Sequence, residues 1–215
     1  MVSFTLPIWK PVNWTSFDVV KNIRQQIKPS KVGHAGSLDP FAEGVIILCA
    51  GNNTKKIENI MNVKKEYLAT IRLGVQTDTL DPTGNIIDRD SIPSFNKNNL
   101  EETLKNFIGN IYQTPPMFSA LKFNGIPLYK LARKGINIHR KKRLITIYDI
   151  KLNSYGKDYL KITIICGRGT YIRSLALDIA HALGTVGYLD KLIRTRLGHY
   201  DKKISINIED FTKWI

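Results

Sequence analysis

Gly33-His34-Ala35-Gly36-Ser37-Leu38-Asp39-Pro40-Phe41-Ala42-Glu43-Gly44-Val45 leads directly into the longest uninterrupted apolar run of the chain, Val45 to Ala50. A short apolar run bounded by turn residues reads as a strand buried on both faces. The small residues ahead of it read as a loop. An Asp before Pro starts a turn, and its carboxylate can satisfy neighbouring backbone donors. Glycines also let a flat ligand approach the backbone closely, which leaves Asp39 exposed at the loop tip. Spacing alone leaves both readings of Asp39 open. A Ser37–His34–Asp39 hydrolase triad is disfavoured, because residues on one short loop align poorly as nucleophile, base and orienter.

Upstream of this loop, Ser16 is expected to cap an amphipathic helix through Val19, Val20, Ile23 and Ile27 that ends near Pro29. Downstream, Asn53 or Thr54 caps a short helix through Ile57 and Ile60, and Tyr67 to Leu73 alternates as a strand. Asp81-Pro82-Thr83-Gly84 turns toward Ile86-Ile87. Asp78 and Asp81 lack the later Gly and Glu of a calcium loop, so turn and hydrogen-bonding roles are expected of them. Asn98 to Ile108 forms a helix closed by Gly109, with Leu100, Leu104 and Phe107 on one face. Leu144 to Ile150 and Tyr159 to Cys166 read as paired strands. Thr170 to Leu183 reads as a helix, ended by Gly184, with Ile172, Leu175, Ile179 and Leu183 in register. The Gly167-Arg168-Gly169 turn before it is neither a P-loop nor a dinucleotide fingerprint. No repeat or linker divides the chain, so one α/β domain is expected.

Length and composition place this sequence among globular proteins: 215 residues, of which 43% are hydrophobic. The two cysteines, Cys49 and Cys166, each end an apolar run and read as buried reduced thiols. His34, His139, His181 and His199 include no pair with zinc spacing, so no metal site is expected. With no secretion signal and no apolar run long enough to cross a bilayer, a soluble cytoplasmic protein is expected. The charge is the informative quantity. Thirty-two Lys and Arg against 18 Asp and Glu leave +14. From Thr103 to Tyr148 there is no acidic residue, while Lys105, Lys122, Lys130, Arg133, Lys134, Arg140, Lys141, Lys142 and Arg143 supply +9. A one-sign stretch of this kind points to a polyanion, and nucleic acid is the usual one. Its Thr114-Pro115-Pro116 and Gly125-Ile126-Pro127 turns mark a long excursion, with one helix around Leu128 to Lys134.

Taken in order, these segments resemble the TruB family of tRNA pseudouridine synthases. Lys10-Pro11 with Trp14-Thr15-Ser16 precedes the Asp39 loop, and Gly51 through Thr54-Lys55 follows it. Lys65-Glu66-Tyr67, Arg72-Leu73-Gly74, Thr77-Asp78-Thr79 and Pro115-Pro116-Met117-Phe118-Ser119-Ala120-Leu121-Lys122 come next. Gly169-Thr170-Tyr171-Ile172-Arg173-Ser174-Leu175 and Tyr188-Leu189 through Arg194-Thr195-Arg196 complete the set. The resemblance implies an α+β pseudouridine-synthase fold, with a mixed, mainly antiparallel central sheet flanked by helices. It implies a basic thumb-like insertion at about 114–143, carrying Arg133 and Lys134.

The implied reaction converts uridine 55 in the tRNA T-loop to pseudouridine, without metal or cofactor. Asp39 falls on the family's nucleophile, Tyr67 on the tyrosine that packs against the target base, and Arg173 on the arginine that pairs with the nucleophile. His34 matches the histidine that enters the T-loop where the target base leaves its stack. Lys10, Lys55, Asp78, Lys122 and Tyr171 match supporting or RNA-contacting positions. The implied partner is the T-arm of tRNA, bound by a monomer. Trp9 stands where the family usually has Asp, Ala35 and Glu43 where Thr is common, and Ile193 in place of an Arg. The sequence ends at Ile215, where many relatives continue into a PUA domain, so a single catalytic domain with weaker tRNA binding is expected. The alternatives are an RNA-folding factor with the same surface and little chemistry, and the related guide-RNA-dependent synthase.

Overall fold

The computed structural model describes residues 2–27 and 31–214. The chain begins with β1 (Phe4–Lys10), α1 (Ser16–Gln26), β2 (Val32–Ala35), β3 (Glu43–Ala50), a 3-10 turn at Gly51–Lys56 and α2 (Ile57–Met61). Next come β4 (Lys65–Leu73), β5 (Val75–Thr77), β6 (Ile86–Arg89), α3 (Lys97–Lys105), β7 (Gly109–Gln113), β8 (Lys122–Phe123), β9 (Ile126–Pro127) and α4 (Leu128–Ala132). The last part holds β10 (Arg143–Tyr155), β11 (Tyr159–Cys166), α5 (Ile172–Ala182), β12 (Gly187–Leu197), β13 (Tyr200–Asp201), β14 (Ile206–Asn207) and α6 (Phe211–Trp214). These elements form two compact units. One comprises Met1–Leu68, Ile164–Arg168 and Lys191–Ile215, the other Ala69–Thr163 and Gly169–Asp190.

In the first unit the strands run β14-β1-β3-β12, with β2 on β3 and β13 on β12. β1 pairs antiparallel with β3, and Lys10 lies opposite Gly44. β12 pairs parallel with β3, and Arg194 lies opposite the same Gly44. β14 is parallel to β1, so the sheet is mixed. The unbroken apolar run of β3 has a direct cause. Ile46, Leu48 and Ala50 pack with Val19, Val20 and Ile23 of α1. Val45, Ile47 and Cys49 pack on the opposite side with Ala35, Leu197 and the partly buried Ile57 and Ile60. Two covered faces remove the usual alternation of polar and apolar residues.

In the second unit the order is β4-β11-β10-β7. β10 and β7 are antiparallel from Arg143 opposite Gln113 to Ile147 opposite Gly109. α3 lies against β10 and α5, and buries Leu100 and Leu104. β5 and β6 form a separate hairpin, as do β8 and β9.

Several local expectations change. The cap of α1 is Thr15, which shares a capping box with Asp18, while Ser16 is the first helical residue and is buried. The expected end near Pro29 lies outside the described residues. Gly33, His34 and Ala35, read as part of a loop, belong to β2 and pair with β3, because hydrogen bonding to a neighbouring strand overrides the poor strand propensity of Gly33. α3 stops at Lys105, and Gly109 opens β7 instead of capping the helix.

Candidate active site

The Asp39 loop is tied down on both sides by side chains from elsewhere in the first unit. Ser16 at the start of α1 reaches Leu38: its Oγ accepts from the Leu38 amide at 2.9 Å and donates to the Leu38 carbonyl at 3.3 Å. The Asp39 carbonyl accepts from Ala42 N at 3.1 Å, closing the turn that Asp-Pro was expected to start. The Pro40 carbonyl accepts from Asn13 N at 2.8 Å and from Lys10 Nζ at 3.3 Å. Lys10 is wholly buried, and its ammonium also donates to Trp14 O at 2.6 Å and Pro11 O at 2.8 Å. Burial draws the Lys10 ammonium down to about 8, against the opposing pull of the Asp39 carboxylate.

Tyr67, on β4, is buried, and burial raises its phenol above the ordinary tyrosine range. Asp39 adds to that rise, so the two groups feel each other. The phenol is therefore neutral near pH 7, suited to form a wall and to hydrogen-bond, and a poor proton acceptor. His34, on β2, is lowered by burial and then by the Arg194 charge. Its Nδ1 is buried with no hydrogen-bond partner among the described residues. It is a neutral imidazole at physiological pH. Lys55 stands exposed on the 3-10 turn beside β2 and β3.

Two residues of this neighbourhood carried no assigned role in the sequence. Arg194, on β12, is fully buried and donates to Val45 O at 2.6 Å, Gly36 O at 3.1 Å and Ser37 O at 3.3 Å. Gly44 has φ +124, and a methyl group there would collide with the Arg194 backbone, so glycine is required. Lys65 is buried, donates to Met61 O at 2.8 Å and Val63 O at 3.0 Å, and is drawn down to about 8 by burial. The signal for Arg194 was its parity with Leu192 on β12, which puts a cation on an inward position.

In the second unit Arg173 occupies the first turn of α5, buried at 5% exposure. Its guanidinium donates to Thr79 O and Phe118 O, each at 2.8 Å, and lies 3.4 Å from the Asp81 carboxylate. Asp81 also accepts from Thr79 Oγ1 at 2.7 Å and Thr83 Oγ1 at 2.6 Å. Asp78 accepts from Asn85 N at 2.9 Å. These are the turn roles expected of both carboxylates. Tyr171 precedes α5, and its backbone exchanges two hydrogen bonds with the Gln113 side chain, at 2.9 and 3.0 Å.

Lys122 lies exposed on β8, and Lys134 is exposed beyond α4. Arg133 is exposed with its guanidinium 5.5 Å from the centre of the Tyr129 ring. A cleft of about 630 Å³ is lined by Thr114, Asn137, Ile138, His139, Arg140 and Lys142. Among the described residues no group of three or more His, Cys, Asp or Glu is placed to hold a metal ion. None of the described helices is long and apolar enough to cross a membrane.

Comparison with known proteins identifies the family. Residues 24–172 match the family described as TruB family pseudouridylate synthase (N terminal domain). The tRNA pseudouridine synthase B of Clostridium acetobutylicum is 44% identical over 208 residues, covering 97% of this chain and 72% of that protein. The protein of the same name from Clostridium kluyveri is 46% identical over 204 residues, covering 95% of this chain and 70% of that one. A chain in the crystal structure of a Cbf5-Nop10-Gar1 complex superimposes with a TM-score of 0.76 at 26% identity, over 98% of this chain and 54% of its own length. With the motif order, the mixed sheet and these matches in agreement, the chain belongs to the TruB family of pseudouridylate synthases.

Proposed function

We propose that this protein isomerises uridine 55 in the T-loop of tRNA to pseudouridine, with Asp39 as the nucleophile acting on a flipped-out nucleotide. The carrying observation is the Asp39 loop. Asp39 opens a turn closed by Ala42, and its neighbours Leu38 and Pro40 are fixed by Ser16, Asn13 and Lys10. Such fixation supplies a nucleophile at a constant position without a metal. In the reaction the N1–C1′ bond breaks and a C5–C1′ bond forms. C5 loses a proton and N1 acquires one, so the change involves no net redox step and no water.

Tyr67 is the wall against which the detached base turns, and its neutral phenol suits that role. His34 fills the stack that the uridine leaves; a neutral imidazole does so without carrying a charge between bases. Arg173 is assigned to the same reaction as the cation that its motif implies. Its guanidinium plane is set by Thr79, Phe118 and Asp81. The acid-free stretch 103–148 supports T-arm binding by shape and phosphate contact, with Lys122, Arg133 and Lys134 exposed on it.

The deciding experiment maps pseudouridine on an unmodified tRNA transcript, wild type beside Asp39→Asn, with no metal added. One modified site in the T-loop, lost in the variant while tRNA binding persists, is the expected result. Binding by both proteins without product would turn the reading toward an RNA-folding factor.

A further inference from the structure

Arg194 is the cation that holds both ends of the Asp39 loop. Its Nη2 and Nη1 hold the carbonyls of Gly36 and Ser37 at the start of the loop, at 3.1 and 3.3 Å. Its Nε holds Val45 O at 2.6 Å, where the chain enters β3. The charge of the same guanidinium acts on the Tyr67 phenol, opposing the rise that burial causes. Arg194 has no solvent exposure, and its backbone is locked against Gly44 by the parallel pairing of β12 with β3. Three carbonyls from both ends of one loop thus converge on one planar group.

An ammonium cannot reproduce this. A guanidinium presents its donors in a rigid fork, whereas lysine offers a point charge on a flexible stem. Granting the reaction proposed above, we propose that Arg194 is a positioning residue that sets the Asp39 loop against the Tyr67 ring through its fork of donors.

Arg194→Lys keeps the charge and removes the fork. In single-turnover and steady-state assays on tRNA transcript, kcat is expected to fall about 10²-fold, the usual cost of a small misplacement of reacting groups. KM for tRNA is expected to stay within about threefold, since a fully buried side chain offers no surface for RNA to touch. In a Tyr67→Phe background the same substitution is expected to lower kcat by less than about threefold more, because the two residues act as a unit. Independently of activity, the Tyr67 ring signal in carbon-13 tyrosine-labelled protein is expected to shift, with faster amide exchange over 36–42 while β1 and β3 stay protected.

Wild-type kcat in Arg194→Lys, equal losses in both backgrounds, or an unchanged Tyr67 signal and loop exchange would each overturn the assignment. If Arg194→Lys does not fold, Tyr67→Phe is read by nitrogen-15 arginine side-chain NMR. A shifted Arg194 signal supports the coupling of the two residues and an unchanged one overturns it. A wild-type protein that makes no pseudouridine defeats the reaction reading alone; the Tyr67 signal and loop exchange then decide the role of Arg194.

Discussion

Lys10 and Lys65 are buried ammonium groups whose donors are taken up by backbone carbonyls. Both are lowered from 10.5 to about 8, chiefly by burial. The sign of their effect on stability follows from linkage. Below pH 8 each is protonated in the folded and unfolded states alike, and the cost of burying the charge is carried in full. Between about 8 and 10.5 the folded chain releases the proton first, so the unfolded chain binds more protons and stability rises with pH. The unfolding free energy of wild type minus that of Lys65→Met, from urea titrations, should therefore rise across that window, by on the order of 3 kcal/mol at most. A flat difference would mean that the Lys65 ammonium is not desolvated. Nothing in the residue type foretells this behaviour. A lysine beside a tyrosine in Lys65-Glu66-Tyr67 reads as a strand start, and only packing shows which side chain turns inward.

Among the elements, β1 and β3 carry two residues that the resemblance marks as departures, Trp9 and Glu43, and these meet. Trp9 Nε1 donates to Glu43 Oε2 at 3.2 Å, and Lys202 Nζ lies 4.7 Å from the centre of the Trp9 ring. In the antiparallel register Trp9 is opposite Val45, so Glu43 is its diagonal neighbour, within reach of long side chains. The two substitutions read as separate anomalies along the chain and as one partnership across the sheet. A double-mutant cycle of Trp9→Phe and Glu43→Thr, followed by urea unfolding, should give a coupling of roughly 1 kcal/mol, the worth of one partly exposed hydrogen bond to a carboxylate. Additive losses would show that the contact contributes nothing. Ser16 teaches the same lesson. Its residue type suits a cap, yet Thr15 takes that role and frees the Ser16 hydroxyl to hold Leu38.

For the molecule as a whole, the +14 charge and its placement are expected to govern the proposed encounter with RNA. We expect tRNA affinity to fall steeply with salt, with a slope of about 0.7–0.9 per neutralised phosphate. Charge reversal at Lys130, Arg133 and Lys134 together should weaken binding and flatten that slope. An unchanged slope would place the RNA elsewhere. Within the acid-free stretch the chain is tied by Leu128 N to Leu121 O at 2.7 Å and by Arg140 Nη1 to Pro115 O at 3.1 Å. Hydrogen exchange in 114–143 with and without tRNA is the measure of further ordering, and added protection there is the expected result.

The motifs were legible from the chain because each has a local physical cause. A double-faced apolar run, an Asp-Pro turn, a capped helix and an acid-free stretch can all be recognised within a few residues. β3, β4, β11 and α5 stood within a few residues of their expected bounds for that reason. Asp39, Tyr67 and Arg173 were singled out by motif order. What holds them was not legible, since it depends on partners distant along the chain. Arg194 lies 157 residues from Ser37 and Lys10 lies 30 from Pro40. Whether a cation in a strand faces solvent or spends its donors on a distant loop depends on register. The parallel pairing of β12 with β3, which brings Arg194 beside Gly44, exists only once the sheet has formed.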